Sequence, residues 1–153
     1  MVDSNTLRII REVINDFFEK MTITVDSEIL LKEDQTVSIQ LKTEEPQILI
    51  GEKGQTLADI QHLLKAMLKR KIAEPFFIDL DINNYRKKKV EYLRDLARST
   101  ADEVVFEKQE KALPSMPAYE RRIIHMELAE RSDISTASEG EEPERRIVIK
   151  PVI

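Results

Sequence analysis

Ile48-Leu49-Ile50-Gly51-Glu52-Lys53-Gly54-Gln55-Thr56-Leu57 holds two of the three glycines in a chain of 153 residues. An apolar triplet runs into a Gly-x-x-Gly turn, and the turn runs into a stretch with helical spacing. Glycine tolerates the positive φ that a tight reversal demands, and with no Cβ it lets backbone N–H groups come close to an anion. The helix that follows contributes the positive end of its dipole, and Lys53 contributes a mobile charge. The ligand that suits such a turn is the phosphate backbone of a nucleic acid. An ordinary corner between two helices can carry the same four residues, so the flanking pattern has to decide.

Upstream, Leu7, Ile10, Ile14, Phe17 and Phe18 recur at helical spacing over residues 4–19, with Ser4 or Asn5 as the cap. Met21, Ile23 and Val25, then Val37, Ile39 and Leu41, alternate with polar residues on either side of the corner Lys32 to Gln35, which predicts a hairpin. Pro46 suits the first turn of a short helix reaching Ile50. Beyond the glycines, Leu57, Ile60, Leu64, Met67 and Leu68 predict an amphipathic helix ending near Ala73 and Pro75. Phe76, Ile78, Leu80 and Ile82 then alternate as a third strand. This order gives a two-layer α+β arrangement with helices on one face of a three-stranded sheet.

From Asn83 the pattern becomes helical again. Val90, Leu93, Ala97, Thr100 and Val104 share one face of a long helix reaching about Lys108, capped by Asn83 or Asn84 and joining two halves of the chain. Residues 109–117 form a proline-marked connection, and a further helix is expected from Pro117 or Ala118 to about Arg131. The tail reads as a hairpin of Ile134–Ser138 and Arg145–Lys150, with Ile147 and Ile149 on one face and Arg146 and Val148 on the other. Two small domains are expected, residues 1–82 and residues 83–153, the second including the long helix.

Composition narrows the function. At 41% apolar and 35% charged the chain is globular, and its aromatics are too few for large stacking platforms, so bound bases are expected to meet aliphatic surface. The absence of cysteine excludes disulfides and thiolate metal sites and makes a cytoplasmic protein the expectation. Residues 1–20 are interrupted by Asp3, Glu12, Asp16 and Glu19, so no leader or membrane insertion is expected. The net charge of −5 is uneven: Lys plus Arg against Asp plus Glu stand at 6 and 12 over residues 1–64, 10 and 5 over 65–98, and 8 and 12 over 99–153. The basic middle includes the run Arg86-Lys87-Lys88-Lys89 at the start of the long helix, where cations oppose the dipole and a phosphate would relieve them.

A second motif lies further on. Arg121 and His125 stand four apart on one helix, so their side chains are one turn from each other and together offer cationic donors to a phosphate. His125, Glu127 and Glu130 are too few for a metal-dependent hydrolase, and the chain has no phosphate-binding Walker loop, nucleophile elbow or His-Glu-x-x-His string. Neither catalysis nor a metal or organic cofactor is expected.

The order of elements and the string Leu49 to Leu57 resemble the prokaryotic (type II) KH domain over residues 4–82. The string Met116-Pro117-Ala118-Tyr119-Glu120-Arg121-Arg122-Ile123-Ile124-His125, with Ser138-Glu139-Gly140 and Arg145-Arg146-Ile147-Val148-Ile149, resembles the R-3-H domain, named for an Arg and a His with three residues between them. A KH domain followed at once by an R-3-H domain resembles the C-terminal part of the Jag family, the SpoIIIJ-associated bacterial RNA-binding proteins. Longer members add an N-terminal Jag domain and a basic linker, and the expectation here is the KH and R-3-H portion without them. The resemblance implies binding of single-stranded RNA, or of single-stranded DNA, through Gly51, Glu52, Lys53 and Gly54 and through Arg121, His125 and Arg145, with Arg86 and Lys87 adding charge. Glu52 stands where the family often has a base, so a larger share falls to Lys53. The resemblance also allows pairing with a second copy or with a small single-KH companion, and the alternative function is an adaptor that dimerises through its KH fold and binds little RNA.

Overall fold

The computed structural model describes residues 3–153. The chain divides into two compact units, one ending at Arg86 and one running from Lys87 to Ile153. The first contains α1 (Ser4–Lys20), β1 (Asp26–Leu31), β2 (Thr36–Lys42), α2 (Pro46–Ile50), a 3₁₀ turn at Glu52–Gly54, α3 (Gln55–Lys69) and β3 (Phe77–Ile82). Its sheet has the order β1-β2-β3, with β1 antiparallel and β3 parallel to β2. A parallel neighbour needs a crossover. Here α2, the glycine turn and α3 make that crossover, so the turn is part of the connection that permits the sheet.

Register puts Ile29 beside Ile39 and Ile39 beside Leu80, with Val37 beside Ile78 and Leu41 beside Ile82. These residues belong to one buried cluster with Ile10, Ile14 and Phe18 of α1 and with Leu57, Ile60, Leu64 and Leu68 of α3. Each such side chain stabilises the fold by about 1.5–3 kcal/mol relative to exposure. Asp3 caps α1 in place of Ser4 or Asn5, its Oδ1 accepting from the Thr6 N–H at 2.8 Å and from the Thr6 hydroxyl at 2.9 Å.

The first strand departs from the sequence expectation. Met21 to Val25 alternate without pairing: Thr22 takes φ 59° just after α1, and Ile23 and Val25 pack half-buried on the core. The strand begins at Asp26 and buries Ile29 alone, because β1 is an edge strand with β2 as its one partner. A half-exposed edge has no reason to alternate, which is why its sequence hides it.

The turn into the long helix also differs. Asn83 and Asn84 both adopt positive φ, 50° and 55°. Asn83 reaches across to the β2–α2 loop, its Oδ1 accepting the Thr43 N–H at 2.9 Å and its Nδ2 donating to the Thr43 carbonyl at 2.8 Å. The buried Asp81 carboxylate takes the cap instead, accepting the N–H groups of Ile82 at 2.9 Å and Arg86 at 3.3 Å. That carboxylate sits at the positive end of α4 (Tyr85–Glu107) beside the cations, so the relief assigned to a phosphate is supplied from within.

In the second unit α4 is followed by β4 (Lys111–Ala112), α5 (Ala118–Leu128), β5 (Ile134–Glu139) and β6 (Arg146–Pro151), with sheet order β4-β6-β5 and all pairs antiparallel. Leu93, Ala97, Ala101 and Val104 of α4 form its core with Leu113, Met116, Ile124, Leu128, Ile134, Ile147 and Ile149. The two-residue β4 lies in the stretch read as a plain connection. Val148, read on the face opposite Ile147 and Ile149, is buried as they are, between its register partners Ala112 and Ala137. α5 stops at Leu128, and the Arg131 guanidinium bridges Asp102 and Asp133, both at 2.7 Å.

Asn83→Ala should destabilise the first unit by about 2 kcal/mol, losing two hydrogen bonds and leaving a Cβ residue at positive φ. Asn83→Gly, which keeps the dihedral, should cost less. Urea unfolding followed by circular dichroism measures both, and equal midpoints for Asn83→Ala and the native chain would show that the Thr43 link carries no stability.

Candidate nucleic-acid interface

Three of the four residues of the glycine turn adopt positive φ: Gly51 at 71°, Lys53 at 53° and Gly54 at 78°. A Cβ at position 51 would collide with Thr56 Oγ1, so glycine is required there by contact as well as by dihedral. A Cβ on Gly54 would lie 3.2 Å from Cε1 of Tyr85, whose ring packs beside the turn. The N–H groups of Gly51 and Gly54 close the turn, donating to the Gln47 carbonyl at 3.0 Å and the Gly51 carbonyl at 3.3 Å. The glycines therefore give shape and clearance, and the exposed tip consists of Glu52 and Lys53 at the N-terminus of α3. Holding Lys53 in the left-handed region costs about 1 kcal/mol, and in return the tip is fixed.

Sequence reasoning missed Tyr85. Its signal was an aromatic residue directly after the third strand, in a segment read only for its charges. Gln61 was missed too. It lies on α3 along the edge of β3, where its Oε1 accepts the Leu80 N–H at 3.1 Å and the Arg86 Nη2–H at 2.9 Å. Arg86 Nη1 also donates to Asp79 Oδ1 at 2.9 Å. Arg86 thus closes the seam between α3 and β3, while Lys87 and Lys88 are exposed. Lys89 lies 3.8 Å from the Glu120 carboxylate and 5.5 Å from the centre of the Tyr92 ring.

The second motif has two unlike members. Arg121 is buried: Nη1 donates to the Met116 carbonyl at 2.7 Å, and Nη2 donates to Glu142 Oε1 at 2.6 Å. It braces the start of α5 against the β5–β6 loop instead of standing open beside its partner, because its position on α5 faces the core. Truncating a buried, paired cation of this kind costs about 3–5 kcal/mol. His125 is half-buried, with Nδ1 2.7 Å from Thr136 Oγ1 and Nε2 3.3 Å from Ser138 Oγ. Burial, and secondarily the Arg121 guanidinium, hold its pKa below the ordinary value of 6.5. Arg145 Nη1 donates to the Gly140 carbonyl at 2.7 Å, across a hairpin turned by Gly140 at φ 89°. Arg122, the neighbour of the named arginine, is the exposed cation of that turn of α5.

The structure therefore gathers Gly51, Glu52, Lys53 and Gly54 in the first unit, and Arg121, His125, Ser138, Gly140 and Arg145 in the second. Residues 9–90 match the family model of the KH domain and residues 91–151 that of the R-3-H domain. The chain belongs to the KH-domain family, and its KH domain is followed by an R-3-H domain. It is similar to RNA-binding protein KhpB of Clostridium symbiosum, 34% identical over 90% of this chain and 63% of that protein. RNA-binding protein KhpB of Bacillus subtilis is 36% identical over 80% of this chain and 61% of that protein. The Lactiplantibacillus plantarum protein of the same name is 34% identical over 73% of this chain and 35% of its own length. The chain thus spans less than two thirds of each of these relatives, and the order of its own two matched domains agrees with the expected Jag family.

His125 supports a pH prediction. With its folded pKa below the unfolded one, the unfolded chain binds more protons as pH falls through the ordinary histidine range, so stability is full above that range and declines below it. Thermal melts from pH 8 to pH 5.5 should show that decline, with a flatter profile for His125→Gln. Identical slopes for the two proteins would contradict the assignment.

Proposed function

We propose that the chain binds single-stranded RNA and performs no chemistry on it. The observation that carries this reading is the exposed Glu52-Lys53 tip on a glycine turn fixed at positive φ, set on the N-terminus of the 15-residue α3. A strand laid across that tip brings a phosphate to the Lys53 ammonium and to the positive end of α3. Its bases then lie against the aliphatic side chains that flank the turn, such as exposed Ile48 of α2.

The second unit adds a weaker contact at His125, Ser138 and Arg145. Arg121 serves there as a positioning residue, since its guanidinium is occupied by Met116 and Glu142. The His125 ring is held between the Thr136 and Ser138 hydroxyls, so a phosphate would reach it by displacing the longer Ser138 contact, and its charge would favour the protonated ring. Two contacts on one chain raise the effective concentration of the second once the first is made. The names of the relatives favour RNA over DNA. Among the described residues no cluster of three His, Asp or Glu side chains is placed to hold a metal, and no helix is long and apolar enough to cross a membrane.

Fluorescence anisotropy with a labelled single-stranded RNA pool across a salt series tests the reading. Lys53→Glu should weaken binding by about tenfold and lower the salt slope by about one, with the duplex form of the pool bound poorly by every variant. If the native chain binds no strand at low salt, or Lys53→Glu binds as well as native, the turn is scaffold, and partner capture through the KH fold becomes the better account.

A further inference from the structure

The second unit exposes two tyrosines, Tyr92 on α4 at 57% and Tyr119 on α5 at 58%. Both border one ion pair. The Tyr119 hydroxyl donates to Glu120 Oε1 at 3.3 Å, the Lys89 ammonium lies 3.8 Å from that same oxygen, and the ammonium stands 5.5 Å from the centre of the Tyr92 ring. Glu120 is only 3% exposed, so a buried carboxylate fixes both the lysine and the Tyr119 ring. Holding a charged oxygen in that position costs desolvation, which the lysine and the phenol offset together. Tyr119 is thereby held at its hydroxyl and Tyr92 carries the Lys89 ammonium over its ring, while both side chains remain more than half exposed.

We propose that Tyr92 and Tyr119 form a base-stacking platform for single-stranded nucleic acid, held in place by the Lys89–Glu120 pair. Aromatic faces accept any base, and cations alongside them serve the backbone that the bases hang from. Each ring has such a cation one helical turn away on its own helix: exposed Lys88 lies four residues before Tyr92, and exposed Arg122 three residues after Tyr119. Arg122 also adjoins the Arg121 and His125 motif in sequence, so the platform extends that site along α5. This charge pattern favours nucleic acid over an apolar protein partner. The inference rests on the proposed RNA binding and adds to it the residues that hold bases.

The test compares two labelled strands of equal length, single-stranded oligouridine and an abasic oligoribose phosphate, by fluorescence anisotropy against the full chain. Tyr92→Leu and Tyr119→Leu should each weaken oligouridine binding roughly 5- to 100-fold, leave the abasic strand unaffected and keep the salt slope unchanged, since no phosphate contact is lost. Tyr92→Phe and Tyr119→Phe, which keep the ring, should restore oligouridine affinity to within about threefold of native. Native binding with unaltered Leu variants overturns the platform and leaves the RNA reading intact. Equal weakening on both strands overturns it as well, by marking the tyrosines as scaffold. A change in sedimenting mass without a change in affinity assigns the face to protein contact and also overturns it. Absence of native binding to either strand overturns both readings.

Discussion

A side chain at position 51 would strike the hydroxyl of Thr56, and the arrangement of the first unit follows from that contact. β3 can join β2 in parallel only if the chain crosses back over the sheet. The crossing is made by one short and one long helix, so the reversal between them must be tight. Gly51 and Gly54 provide it, Thr56 and Tyr85 pack beside them, and the result is a tight turn with Glu52 and Lys53 exposed. Fold and site are thus the same four residues considered twice: the turn that allows the sheet also exposes Lys53 at the start of α3.

Electrostatics refine the picture given by charge counts. The basic middle of an acidic chain is answered in part from inside: Asp79 and Gln61 hold Arg86, Asp81 caps α4, Glu120 holds Lys89, and Glu127 takes Arg94 and Arg98. Lys69, Arg70, Lys71, Lys87 and Lys88 of that middle, and Lys53, Arg122 and Arg146 elsewhere, are exposed and join none of the ion pairs among the described residues. Pairing thus removes four of the ten cations of residues 65–98 from the charge that the sequence alone counts. Arg121 shows the same distinction within one motif, since the residue that names the domain is committed to the Met116 carbonyl and to Glu142 while its neighbour Arg122 faces solvent.

Much of the architecture was legible because buried faces impose periodicity. α1, α3, β2 and β3 alternate or recur largely as their burial demands, and the glycine turn announced itself through two of three glycines in four residues. β1 was misplaced because an edge strand buries one residue, and β4 was missed because two residues carry no period. Asn83 looked like a cap but serves a long-range bond to Thr43, while Asp81, read only as the polar side of a strand, caps the helix. The candidate site was legible as a set of positions and not as a set of roles. Which arginine is buried depends on the rotation of α5 against its sheet, and the tyrosines were discounted by count when their exposure is what distinguishes them.

The most direct measurement is a proton–nitrogen NMR titration of the labelled chain with single-stranded RNA. If the fixed tip holds the strand, the backbone amides of residues 51–56 should shift together and saturate at one affinity, and the Lys53→Glu chain should lose those shifts while its remaining spectrum stays native. Saturable shifts confined to other residues, with residues 51–56 unmoved, would contradict the account.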